Sequence, residues 1–195
     1  MKIYLIRHGE TDWNRQGRFQ GREDIPLNEN GIMQAKQCGT ALTEEQFRAV
    51  ITSPLSRARR TGEIIAELLG IDQFVIEEDI TERDFAKLSG MTPKEREAFY
   101  ASGEKDDKEP FEKLSERMLE SLKRYAEQFP SDNIIMISHG ASINSVLSVL
   151  SGGNTGTGKI LLKNTCINII HYENGQFSLE EYNLTPEEYL TLRNY

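Results

Sequence analysis

The chain has 195 residues and a formal net charge of -8 at pH 7. That length suits one domain spanning residues 1–195 with a substantial core. The negative charge argues against nonspecific nucleic-acid binding, which needs a basic face, and no apolar run is long enough to span a membrane. The apolar part of the N-terminal MKIYLIRHGE is too short for a signal peptide, so a cytoplasmic location is expected. Cys38 falls in a helical pattern and Cys166 in a strand pattern, neither beside a second Cys or a His at metal-ligand spacing. Both read as reduced core residues.

The first predicted strand is Ile3 to Ile6, which ends on Arg7, His8 and Gly9. A polar stretch, Arg15 to Asp24, follows. Asn28 is placed to cap a helix starting near Glu29, with Ile32, Ala35, Cys38 and Leu42 on its buried face. Arg48 to Thr52 reads as the second strand, closed by Ser53 and Pro54. A helix with Ala58, Thr61, Ile65 and Leu68 inward runs to Gly70. Phe74 to Ile76 is a short strand, expected beside the second.

Asp79 to Gly90 has no clean period and reads as a loop. Thr92, Pro93 and Glu95 form a capping box that opens a short helix. Residues 102–110 are charged and poor in apolar side chains. They read as an exposed connection, with a mobile cap over the site as the alternative. Phe111, Leu114, Met118, Leu122, Tyr125 and Phe129 predict a long amphipathic helix. Asn133 to Ile137 is apolar on both faces, as a central parallel strand is, and runs into Ser138, His139 and Gly140 before another helix. Cys166–Tyr172 and Phe177–Tyr182 read as a hairpin about Asn174-Gly175, and Thr185, Pro186 and Glu188 cap a last helix. The alternation predicts an α/β fold: a mostly parallel central sheet with helices on both faces and an antiparallel strand near the C-terminal end.

Three strands thus end in chemically able residues. The first delivers Arg7 and His8, the second Ser53 and then Arg57, and the central one His139 at a helix start. In a parallel sheet these ends share one edge, where open α/β folds bind ligands. Two arginines and a histidinium there would neutralise a phosphoryl group, helped by backbone N–H groups near Gly140. With that fixed charge neither metal nor other cofactor is needed. A zinc site is the weaker alternative, because the chain has only 3 histidines and His171 lies in a strand near the other end. Arg59 and Arg60 read as solvated helix surface.

The strings RHGETDWN, SPLSRARRT and ISHG resemble the motifs of the histidine phosphatase superfamily, the phosphoglycerate mutase-like proteins. The resemblance implies that His8 attacks phosphorus, that Arg7, Arg57 and His139 hold the phosphoryl oxygens, and that Asn14 adds a hydrogen bond. Gln20 and Gly21 would line the entrance. In ITERDFAKLSG, Glu82 matches the family's general acid, with Asp84 as rival. Two departures stand in this loop: Ala86 where a glycine is usual and Ser89 where a second glutamate is frequent. The expected activity is hydrolysis of a small phosphomonoester without a metal. The alternatives are a cofactor-dependent phosphoglycerate mutase and a non-catalytic module that binds a phosphoester or a protein. Mutase relatives carry an inserted pair of arginines, whereas residues 91–130 offer Arg96, Arg117 and Arg124 singly. Residues 83–115 are expected to shape the leaving-group pocket, and oligomeric state stays open.

Overall fold

The computed structural model describes residues 1–193. Their strands are β1 (Lys2–Arg7), β2 (Ala49–Thr52), β3 (Phe74–Ile76), β4 (Ile134–Ser138), β5 (Ile167–Glu173) and β6 (Gln176–Leu184). The helices are α1 (Asp12–Arg15), α2 (Glu29–Ala41), α3 (Ser56–Leu69), α4 (Pro93–Ala101), α5 (Phe111–Gln128), α6 (Gly140–Leu150) and α7 (Pro186–Arg193). The strands form one sheet in the order β3-β2-β4-β1-β5-β6. The first four are mutually parallel, β5 runs antiparallel to β1, and β6 closes the edge antiparallel to β5.

Period-2 alternation assigns the core. Ile3 and Leu5 of β1, with Ile134 and Met136 of β4, point to the face covered by α5 and α6. Tyr4, Ile6, Ile135 and Ile137 point to the opposite face, under α2, α3 and α7. Topology explains the division. The chain steps outward from β1 to β2 to β3, then returns to insert β4 between β2 and β1. Right-handed crossovers place the outward helices on one face and the returning helix on the other.

Local chemistry sets the helix ends. The Asn28 side chain accepts from the Gly31 N–H, and the Thr92–Glu95 capping box closes with Pro93 in the first turn. One helix escapes the periodicity: α1, a single turn directly after the first motif, capped reciprocally by Thr11 and Asn14. The stretch after β3 contains two short 3-10 turns, Glu78–Ile80 and Ala86–Leu88, where sequence alone suggests only a loop. Cys38 and Cys166 are both buried and free. Arg59 and Arg60 lie on the surface, each against Glu63.

The turn after β1 is pressed against α2, and two glycines allow it. A Cβ on Gly31 would lie 2.1 Å from the Glu10 carbonyl oxygen, and one on Gly9 would lie 2.4 Å from the Gly31 carbonyl oxygen. The obstacles are backbone, so nothing swings aside. Gly31→Ala is therefore expected to cost about 1–3 kcal/mol, the usual scale of overpacking, and to displace the turn that carries His8. Urea denaturation measures the first effect; an unchanged midpoint would contradict this close approach.

Candidate active site

The sheet register builds the site. Arg7 lies opposite Ser138, which brings the next residues, His8 and His139, side by side with ring centroids 5.2 Å apart. The strand pair β2–β4 aligns Thr52 with Ile137, so Ser53 arrives next to them, and its hydroxyl meets His139 Nε2 at 2.7 Å. Arg57 follows in the first turn of α3 and is completely buried. These residues lie at the C-terminal edge of the parallel strands, where such sheets bind ligands.

His8 is 2% exposed, and its Nδ1 lies 2.6 Å from its neighbour's carbonyl, Gly9 O. A carbonyl only accepts, so Nδ1 carries the proton and Nε2 keeps the lone pair. Burial, then repulsion from Arg57 and Arg7, holds the His8 imidazole well below its ordinary 6.5. Burial also lowers His139, followed by the charges of Arg57, His8 and Arg7. Both rings are thus neutral at pH 7, which differs from the resident histidinium expected from sequence. A dianion placed between them would favour the cationic form of His139.

Both arginines are held by backbone carbonyls. Arg57 donates Nη1–H to Glu23 O at 2.6 Å and Nη2–H to Gly21 O at 2.8 Å, while Arg7 Nη1 donates to Leu162 O. Burial lowers the Arg57 guanidinium to about 10, so it stays charged at neutral pH. Each clamp leaves one group over. Arg7 Nε, Arg57 Nε and His139 Nδ1 are buried without any hydrogen-bond partner. Each unsatisfied buried group costs about 1–3 kcal/mol, a cost that a bound anion would remove.

Glu82 follows the 3-10 turn beyond β3 and is 8% exposed. Its Oε1 accepts from the Ser142 N–H and the Ser142 hydroxyl, both at 3.0 Å, and Oε2 accepts from the Ala141 N–H at 3.2 Å. The first turn of α6 thus orients the carboxyl. Asp84 points elsewhere, its Oδ1 accepting from the Ala86 N–H. Ala86 takes φ of 46°, the left-handed region where glycine is the unstrained choice, which accounts for the glycine usual at this position.

A cavity of about 700 Å³ opens over Arg7, His8, Arg57, Glu82 and Gly140. Asn14 and Gln20 line it too, the Gln20 side-chain Oε1 accepting from the Thr11 hydroxyl at 3.0 Å. Gly21 does not line the entrance as expected; its carbonyl sits behind the site and anchors Arg57. From residues 83–115, Arg83, Phe85, Pro93, Arg96 and Leu114 form the outer wall. None of residues 102–110 lines it, and Glu109 at their end is buried. Sequence reasoning missed Asn164, which lines the cavity and donates to His8 O at 3.0 Å. Its segment is irregular and bears no motif. Among the described residues no three His, Cys, Asp or Glu side chains gather as a metal site would require, and His171 lies in β5 opposite Lys2.

An imidazole with a free lone pair, two fixed guanidiniums and an oriented carboxyl, at the edge of a parallel sheet, define an enzyme of phosphoryl transfer. The comparisons agree. The family model described as "Histidine phosphatase superfamily (branch 1)" matches residues 3–185, and the chain belongs to that superfamily. It is 35% identical over 182 residues to the uncharacterized phosphatase PhoE of Bacillus subtilis (strain 168), with 93% of this chain and 94% of that protein covered. It is 30% identical to a metal-independent phosphoserine phosphatase of Arabidopsis thaliana, over 93% of this chain and 80% of that one. The crystal structure of a mutant phosphoserine phosphatase from Entamoeba histolytica, in complex with phosphoserine, superposes with a TM-score of 0.81. That chain is 30% identical, and the match covers 94% of this chain and 97% of that one.

Two outcomes test the site. By NMR, His8 at pH 7 should be the neutral Nδ1–H tautomer and stay neutral as pH falls through 6.5. The unfolded chain takes up protons there while the folded one does not, so stability should fall as pH drops below about 6.5. A His8 midpoint at the ordinary value would contradict the burial argument. Ala86→Gly should raise stability by about 0.5–1 kcal/mol, as relief of the left-handed strain outweighs the added chain entropy.

Proposed function

We propose that the protein hydrolyses a small phosphomonoester through a phosphohistidine on His8. The observation that carries this reading is the trio of buried unpartnered atoms, Arg7 Nε, Arg57 Nε and His139 Nδ1, beside an imidazole whose Nε2 is unprotonated. In the first step the Nε2 lone pair attacks phosphorus and the bond to the leaving oxygen breaks. Glu82 gives that oxygen its proton, so an alcohol departs. In the second step water attacks the phosphohistidine, Glu82 takes the water's proton, the P–N bond breaks and inorganic phosphate forms. Arg7, Arg57 and His139 stabilise the charge spread over the equatorial oxygens, the work a divalent ion would otherwise do. Asn14 and Gly140 complete the phosphate's surroundings, with Gln20 at the rim.

The outer wall supports a compact leaving group. Phe19, Phe85 and Leu114 supply apolar contact, and Arg83 and Arg96 supply charge. This suits an alcohol that bears a carboxylate, in line with the similarity to phosphoserine phosphatases. A mutase would need an arginine pair beyond the acid loop. Here Arg117 and Arg124 turn to the acid loop's carbonyls and carboxylates, and Arg96 alone lines the cavity, itself bound to the Gly17 and Met91 carbonyls. That supports transfer to water. A non-catalytic binding module would require neither a neutral imidazole nor an oriented carboxyl at the site, so His8 and Glu82 support the catalytic reading.

His8→Ala should abolish turnover, and brief exposure of the unaltered protein to a labelled substrate should leave acid-labile, base-stable label on His8. Label on Ser53 or Ser138 would overturn the assignment. Activity should survive exhaustive chelation. Glu82→Gln should slow an alkyl phosphate by roughly two or more orders of magnitude, the worth of general acid catalysis, and a nitrophenyl phosphate much less. Equal losses on both would remove Glu82 from the acid role.

A further inference from the structure

Nothing in the motifs accounts for Arg117, in the middle of α5. Its side chain is 15% exposed and lies against a Glu109 side chain that is 4% exposed. The pair is bidentate, with Nε to Oε1 at 2.8 Å and Nη2 to Oε2 at 2.9 Å. The remaining donors reach the acid loop: Nη1 to Asp79 O at 2.6 Å and Thr81 O at 2.8 Å, and Nη2 to Glu82 O at 3.3 Å. Glu109 holds the other side of the same loop. Its Oε2 accepts from the Asp84 N–H at 3.3 Å and its N–H donates to Asp84 O at 2.8 Å. Its carbonyl accepts from Arg83 Nε at 2.7 Å. Five residues in succession or nearly so, with Glu82 in their midst, are thereby tied to one ion pair.

We propose that Arg117 and Glu109 are positioning residues for the general acid: together they fix the backbone on both sides of Glu82, so that its carboxyl meets the leaving oxygen. This rests on the reading of Glu82 as the acid. Neither residue touches the phosphate site. A lysine at position 117 would keep the charge opposite Glu109 but could not span the loop carbonyls, because it lacks the planar fork. Burial alone would raise the Glu109 carboxyl, yet the hydrogen bond and charge of Arg117 hold it below its ordinary value. The pair is therefore ionised at neutral pH. Residues 102–110, which carry Glu109 into place, thus act on the site through the acid loop rather than as a cover.

The test is a cycle of Arg117→Lys, Glu82→Gln and the double variant, each assayed on an alkyl phosphate and on nitrophenyl phosphate. Arg117→Lys should slow the alkyl phosphate on the order of 10- to 100-fold, the scale of a misplaced catalytic group, and nitrophenyl phosphate by less than about threefold. Added to Glu82→Gln it should cost nothing further on the alkyl phosphate, since no proton remains to be positioned. A merely structural role would slow both substrates alike and would add to Glu82→Gln; either result overturns the proposal. If Glu82→Gln itself shows no leaving-group dependence, the acid reading fails, and the positioning role fails with it by a distinct signature. Should Arg117→Lys not fold, Glu109→Gln enters the same cycle with the same expectations.

Discussion

Buried positive charge governs this molecule. Two guanidiniums, Arg7 and Arg57, line the same cavity at the end of the sheet, in a chain whose net charge is -8. Burying either is costly, and each is held by loop carbonyls that take up only part of its donor capacity. The surplus, Arg7 Nε and Arg57 Nε, is left without a partner. Burial, and then the charge of the same two arginines, keeps His8 and His139 neutral. The proposed binding site, nucleophile and electrostatic stabiliser thus follow from one arrangement.

The acid side of the site is built differently. Glu82 is oriented by the first turn of α6, and its loop is tied by Arg117 and Glu109. The groups proposed to hold phosphate come from strand ends, which the sheet register locates to within a residue. Glu82, the proposed acid, rests on an irregular segment, so its position has to come from side-chain anchors. The strained Ala86 lies in this segment, within reach of the Asp84 side chain that holds its N–H. The outer wall is drawn from this segment and from Arg96 and Leu114, so the part of the site proposed to meet the leaving group is also the part least constrained by the sheet.

The fold was largely legible. Alternating Ile3, Tyr4, Leu5 and Ile6 marks a strand buried on both faces, and the two core clusters divide these residues as the period requires. Capping signals at Asn28 and at Thr92–Glu95, and the Asn174-Gly175 turn, are local interactions that sequence encodes directly. The single-turn α1 was not legible, because four residues are too few for a period. Nor was Asn164, which reaches His8 from an irregular stretch, nor the part played by Arg117, which looks like any arginine on an amphipathic helix.

What the sequence by itself determined is the order of strands and helices and the residue types at the strand ends: Arg7, His8, Arg57 and His139. These follow from interactions between near neighbours, namely side-chain period, caps and turn chemistry. Tertiary structure alone decided which groups share a bond. It set the Nδ1–H tautomer of His8, the neutrality of both histidines, the withdrawal of Gly21 behind Arg57 and the ion pair beneath the acid loop. The neutrality depends on desolvation, the Gly21 anchor on a partner 36 residues away, and the tautomer and the ion pair on how the chain bends between near neighbours; neither geometry nor dielectric is written in the order of residues.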